Sequence, residues 1–156
     1  MNYDRKAFSS DAANMHESER SQFLNQLDEE LLRGGVQISE WCCFLVCEFD
    51  TTYIAGAYLS SIIVAMAGIE THLRTEYPFN RQKNLFDLID SADLNGITKQ
   101  EIHELRRYRN RWVHISNPDN DDDILTNPEK YATELEEVAR RAARILREVI
   151  YSNPWI

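Results

Sequence analysis

The segment from Pro128 to Ile150 limits what this chain can fold into more than any other part of the sequence. Apolar residues recur in it at every third or fourth position, namely Leu135, Val138, Ala139, Ala142, Ile145, Leu146, Val149 and Ile150. This period is typical of a helix that buries one face against a core. Glutamates precede arginines along the segment, an order that suits the helix dipole. The sequence therefore predicts a closing helix that begins at Pro128.

Helical spacing also runs through much of the upstream sequence. A first helix is predicted from a cap at Ser10 to Gly34-Gly35. The segment VQISEWCCFLVCEF fits a helix that begins after Ser39, although a buried strand would show the same apolar pattern. A long central helix is predicted over residues 52–77. It is rich in small residues that let neighbouring helices approach closely, namely Ala55, Gly56, Ser60, Ala67 and Gly68.

Two further segments complete the predicted fold. Residues 84–91 form a short amphipathic helix, and Thr98 is a loose capping signal for a helix over residues 99–115. With 43% hydrophobic residues, 5 glycines and 4 prolines in 156 residues, the composition favours helices over a loop-rich β-fold. We therefore predict an all-α, up-and-down bundle of about five helices. It is divided into an N-terminal helical arm over residues 1–35 and a helical domain over residues 36–156.

The cysteines and the longest uncharged run bear on the compartment. Cys42, Cys43 and Cys47 are odd in number and crowd into one apolar segment, which favours reduced core thiols over a disulfide framework or a zinc site. The uncharged run over residues 51–69 is diluted by hydroxyl side chains and flanked by acidic ones, which indicates a buried helix rather than a membrane span. The first residues have no secretory pattern, so a cytoplasmic location is expected.

The sequence RNRWVH, from Arg109 to His114, is a basic island in a chain of net charge -9. On a helix, Asn110 and His114 share a face, and Arg106 precedes them on it by one turn. Arg109 lies about 140° around the axis from His114, within reach of a long guanidinium. An imidazole, an amide and guanidiniums are the groups needed for metal-free RNA cleavage. A base removes the proton of the ribose 2′-hydroxyl, and a cation stabilises the charge on the phosphate.

One copy of this motif supplies only one histidine. A two-fold dimer that places the helix against its mate would supply two histidines and paired arginines across a single cleft. No cofactor or metal is required for this chemistry, and none is expected. Motifs of other enzyme classes, such as GxxxxGK[ST], GxGxxG, HExxH and GxSxG, do not occur in the sequence.

The motif resembles the Arg-polar-x-x-x-His signature of HEPN domains, small all-α modules of RNA-cutting toxins, defence systems and RNA-processing enzymes. The resemblance covers about residues 39–151 and includes the segments AMAGIETHLR and NLFDLIDSADLNGIT. It implies that Arg109 and His114 are catalytic at a homodimer interface, that Asn110 supports them, and that Glu70 orients Arg109 by a salt bridge. One subgroup carries a modified tyrosine two residues after the motif histidine. Ser116 occupies that position here, so this regulation is not implied.

The resemblance implies a metal-independent endoribonuclease that acts as a toxin or defence effector. The expected partners are a second copy of the chain, an RNA substrate and, for a toxin, a protein antitoxin, with no DNA and no membrane. Two alternatives stay open: a non-catalytic HEPN-like module that binds RNA, a nucleotide or a protein, and a purely structural dimerisation domain. The acidic run Asp119–Asp123 and the net charge of -9 oppose broad affinity for a polyanion, which favours a selective ribonuclease.

Overall fold

The computed structural model describes residues 17–77, 82–114, 124 and 126–153, and the regular structure in these ranges is helical. Within these ranges, the helices with defined bounds are α1 (Glu17–Leu31), α2 (Glu40–Ile54), α3 (Tyr58–Glu76), α4 (Leu85–Ser91), α5 (Gly96–Val113) and α6 (Pro128–Ile150). The predicted all-α class is confirmed, and the segment after Ser39 is a helix rather than a strand. The predicted cap at Ser10, the acidic run Asp119–Asp123 and Ser116 lie outside the described residues.

The core lies where α3 packs between α2 and α6. From Ala139 onward, the apolar stripe predicted for the closing helix is buried, and it faces buried side chains of α3 such as Ile62, Met66 and Ile69. Gly68 permits close approach, because a Cβ atom at this position would lie 3.1 Å from Cδ1 of Leu146. A small residue in the α3 segment therefore serves the packing role that the sequence predicts.

The predicted central helix over residues 52–77 is wrong at its N-terminal end. The chain turns at Gly56, which has a φ of 75°, so α2 ends before this residue and α3 begins only at Tyr58. Glycine suits this turn because its backbone reaches positive φ without a steric penalty. Arg20 of α1 stabilises the end of α2, since its Nε donates a hydrogen bond of 2.6 Å to the carbonyl of Ile54.

The prediction that all three cysteines are core thiols is correct only for Cys42. Its Sγ lies 3.9 Å from the carbonyl oxygen of Gly68, and burial raises the pKa of this thiol to about 11. Cys43 and Cys47 are exposed, because α2 packs against the bundle by one face and these residues lie off it. Trp41 is 74% exposed for the same reason.

Two absences hold for the part of the chain that the structure describes. Its histidine, cysteine and acidic side chains form no cluster of three or more that could hold a metal ion. None of its helices combines the length and the apolar character that crossing a membrane would require.

Helix α1, which falls within the predicted N-terminal arm, packs against α2 and α6 and contributes Leu24 and Leu27 to the core. An ionic cluster around the buried Arg147 connects the three helices. Arg147 of α6 is 1% exposed, and its guanidinium donates to Asp28 of α1 at 2.8 Å and to Asp50 of α2 at 3.0 Å. The cluster therefore fixes α1 to the rest of the bundle.

His72 gives the fold a dependence on pH. It is 4% exposed, and burial lowers the pKa of its imidazole below the ordinary value of 6.5. Between the two pKa values, the unfolded chain binds a proton that the folded protein does not, so stability is full above about pH 6.5 and falls as the pH decreases. We expect urea denaturation to show this loss as the pH falls below about 6.5, and His72→Gln to flatten it. The same substitution at the exposed His114 is the control. An unchanged slope in His72→Gln would contradict the assignment.

Candidate functional site

The motif occupies the last turns of α5, whose ends are well defined. The Oδ1 atom of Asn95 accepts a hydrogen bond of 2.8 Å from the backbone nitrogen of Thr98, so Asn95 is the N-cap. Thr98, predicted as the cap, is instead a buried residue of the first turn. At the other end, His114 is the C-cap, and its backbone nitrogen donates to the carbonyl of Asn110 at 2.9 Å. The motif histidine therefore stands where the helix ends.

One side of the motif holds α5 against α6. The rings of Trp112 and Tyr131 meet edge to face, with 6.0 Å between their centroids. The guanidinium of Arg111 is hydrogen-bonded to Glu134 of α6 and lies 4.6 Å from the ring centroid of Tyr108. Arg111 and Trp112 thus have structural partners, which explains two residues of the basic island by packing alone.

The other side of the motif holds Arg109, Asn110 and His114. Arg109 and Asn110 are half-buried, and His114 is exposed. None of these three side chains has a hydrogen bond or ion pair with another residue in the part of the chain that the structure describes. The arginine, the amide and the imidazole are therefore available to an external group, in contrast to Arg111.

Upstream on α5, the polar side chains pack against α4. The Nε2 atom of His103 lies 2.8 Å from Oδ1 of Asp90, and its ring centroid lies 4.6 Å from that of Phe86. The guanidinium of Arg106 lies 5.4 Å from the same Phe86 ring. Arg106, predicted from its place on the motif face as a supporting residue of the site, thus also packs against α4. Phe86 and Asp90 were not predicted as partners of α5, although the amphipathic pattern of residues 84–91 predicted the helix that carries them.

Glu70 does not form the salt bridge expected with Arg109. Its carboxylate accepts a hydrogen bond of 2.9 Å from Nε of Arg74, one turn later on α3. The nearer guanidinium on the same helix takes the carboxylate, as is usual for residues four apart. Arg74 also donates to the carbonyl of Lys83 at 3.1 Å, which ties the end of α3 to the start of α4. Glu70 therefore orients Arg74.

Cavities bounded by described residues lie elsewhere. Three such cavities have volumes of about 910, 400 and 160 Å³, and none of them is lined by Arg109, Asn110 or His114. At the end of α5, the imidazole of His114 can transfer protons and the guanidinium of Arg109 can bind phosphate.

The fold and the site define an all-α protein with a basic motif at the end of one helix. No protein-family model matches the chain, and comparisons with curated proteins and with solved structures likewise gave no match. The resemblance to HEPN domains therefore rests on the motif and the segments around it.

Proposed function

We propose that the protein is a metal-independent endoribonuclease of the HEPN type. His114 acts as general acid and base, Arg109 stabilises the charge that develops on the phosphate, and Asn110 supports them. The proposal is supported by the way in which the side chains of the motif fall into two groups. Arg111 and Trp112 are held by α6, whereas Arg109, Asn110 and His114 have no partner among the described residues.

The proposed active site is completed by a second copy of the chain. One copy offers a single motif histidine, which is exposed, and Val113 beside it is 40% exposed. A two-fold contact through the end of α5 would bury this valine, enclose the motif and bring two histidines and two copies of Arg109 into one cleft. Removal of water from the cleft would strengthen the electrostatic stabilisation of the phosphate.

The direct test incubates the purified full chain with a mixed RNA pool in EDTA. We expect cleavage to persist in EDTA, because the proposed chemistry uses side chains and no metal. We also expect specific activity to fall on dilution below the dimer dissociation constant, measured in parallel by sedimentation velocity. An RNA pool left intact at every protein concentration would rule out the nuclease, and a fully active monomer would rule out the composite cleft.

The exposure of His114, outside the described cavities, favours a second candidate, a non-catalytic HEPN-like module that binds RNA, a nucleotide or a protein. The described cavities do not include the motif, and the net charge of -9 opposes extended contact with RNA. The same experiment separates the two candidates. Binding of RNA by the dimer without any cleavage supports the module, whereas cleavage that depends on His114 supports the enzyme.

A further inference from the structure

A groove of about 910 Å³ lies between the end of α1, the start of α5 and the end of α6. Its apolar lining comes from Leu31, Leu94 and Ile97, one residue from α1 and two from the start of α5 and the turn before it. Ile97 is 75% exposed, which is a large fraction for a side chain of this size in a folded domain. The groove therefore presents apolar surface that the described part of the bundle leaves uncovered.

The charged lining of this groove is acidic. Asp93, Glu101 and Glu148 line it, and none of the described residues that line it is lysine, arginine or histidine. Asp93 and Glu101 have no side-chain hydrogen bond or ion pair with another described residue. Oε1 of Glu148 is 3.9 Å from Nη1 of Arg144, an outer distance for an ion pair.

Arg144 balances these carboxylates only in part, because Glu30 already holds its guanidinium through hydrogen bonds of 2.9 and 3.0 Å. Burial and the nearby charges of Glu101 and Glu30 raise the pKa of Glu148, a sign that these carboxylates repel one another. The described residues that line the groove include three carboxylates and no cation, so their formal net charge is -3.

The helix ends around the groove add to its negative potential. Helices α1 and α6 both end beside it, and free carbonyl groups at a helix C-terminus carry partial negative charge. The N-terminus of α5 has the opposite sign, but the side chain of Asn95 satisfies one of its amides. A cation in the groove would therefore meet favourable potential from two elements and from the unpaired carboxylates.

We propose that this groove binds a basic amphipathic segment of a partner protein. Its lysine or arginine side chains would pair with Glu101 and Glu148, and a leucine-like side chain would cover Ile97. A polyanion such as RNA would be repelled from the groove, and no three metal-ligating side chains cluster in the described part of the chain. The apolar lining distinguishes a peptide from a simple cation, because it gains binding energy only when covered by apolar groups.

This site is separate from the motif and does not depend on the proposed ribonuclease. Helix α5 has 18 residues, so its two ends are about 27 Å apart at 1.5 Å per residue. The groove lies at the first turn of α5 and His114 lies at the last. Loss of peptide binding and loss of RNA cleavage can therefore be caused by different substitutions.

The test uses fluorescence anisotropy with a short fluorescein-labelled peptide of arginine and leucine and the full-length protein. Two comparison peptides replace arginine by glutamate or leucine by serine. We expect Glu101→Gln/Glu148→Gln to weaken binding of the arginine-leucine peptide by about tenfold or more. Glu48→Gln/Glu137→Gln, an equal charge change at exposed positions outside the groove, should leave the affinity within about twofold.

Ile97→Ser provides a second, independent test of the groove, because this exposed side chain can be changed without disturbing the core. We expect Ile97→Ser to weaken binding of the arginine-leucine peptide. The affinity for the comparison peptide with serine in place of leucine, which is expected to bind more weakly, should not change. Equal loss of binding in the control double variant would show that only the overall charge is recognised, and would overturn the proposal. Competition by spermine as strong as that by unlabelled peptide would also overturn the proposal. The same holds if Ile97→Ser leaves the affinity for the arginine-leucine peptide unchanged.

Discussion

His114→Ala is expected to lower kcat for RNA cleavage by about two to four orders of magnitude, the usual contribution of a general acid or base. His114 is exposed at the C-terminal end of α5 and has no side-chain partner among the described residues. Its loss should therefore remove proton transfer and leave the fold unchanged. The measurement is single-turnover cleavage of a labelled RNA, with circular dichroism and thermal unfolding to verify the fold.

Arg109→Ala is expected to reduce the same rate by about two to three orders of magnitude, because a cation that stabilises transition-state charge is lost. Arg107→Ala is the matched control. Arg107 is an exposed arginine of the same helix, two residues before Arg109 and outside the motif. Its replacement by alanine therefore removes the same type of side chain and the same charge. We expect Arg107→Ala to keep nearly wild-type activity. Equal losses in the two arginine variants would show that only the positive charge of α5 matters, and the motif assignment would fail.

A growth assay on cells that express the protein tests the same residues when the RNA substrate is unknown. If the wild-type protein arrests growth, His114→Ala should relieve the arrest at equal protein level, whereas Arg107→Ala should not. Relief by His114→Ala together with intact RNA in the arrested cells would indicate a toxic activity other than RNA cleavage. That result would support the binding module over the enzyme.

The closing helix was predictable because its whole apolar stripe faces one side and Pro128 marks its start. The break at Gly56 was not, because glycine within a small-residue segment fits both a close helix contact and a turn. Gly68 makes the contact, and Gly56 makes the turn. Only tertiary packing, here the bond from Arg20 to the carbonyl of Ile54, separates the two cases.

The motif shows a similar limit. Helical spacing correctly placed Asn110 and His114 at the end of α5, but it could not tell which arginines pack and which stay available. That choice depends on residues far along the chain, such as Glu134 beside Arg111 and Phe86 beside Arg106. Glu70 likewise has Arg74 within one turn, and this local pair forms instead of the predicted long-range pair with Arg109.

Arg147 is the clearest case of a role hidden in the sequence. The late arginines of α6 were explained together by the helix dipole, yet Arg144 and Arg147 have different environments. Arg144 pairs with Glu30 at the surface, whereas Arg147 is 1% exposed between Asp28 and Asp50. The hydroxyl of Tyr151 also donates to Asp28 at 2.6 Å. Their positions along α6 did not distinguish these two arginines, because their acidic partners lie about a hundred residues away along the chain.

Arg147→Met is therefore expected to lower the free energy of unfolding by about 3 kcal/mol, the lower end of the usual cost of removing one member of a buried ion pair, because the side chains of Asp28 and Asp50 are 38% and 33% exposed. Methionine keeps much of the side-chain volume, so most of the loss comes from the carboxylates of Asp28 and Asp50 that lack a cation. Arg144→Met is the matched control. Its partner Glu30 is exposed, so the expected loss is about 1 kcal/mol or less. Urea denaturation at neutral pH measures both variants.

The pH dependence of this loss identifies its cause. Burial raises the pKa of Asp50, while Arg147 opposes the rise. Without the guanidinium, the folded-state pKa of Asp50 moves further above its unfolded value, so the variant loses stability as the pH increases through this window. The deficit of Arg147→Met should thus be smallest at acidic pH, where Asp50 is protonated. Asp28→Asn and Asp50→Asn, added to Arg147→Met, should recover much of the stability, since amides are neutral. If the stability loss of Arg147→Met changes neither with pH nor with the added substitutions, then packing, rather than the unpaired charges, makes Arg147 necessary.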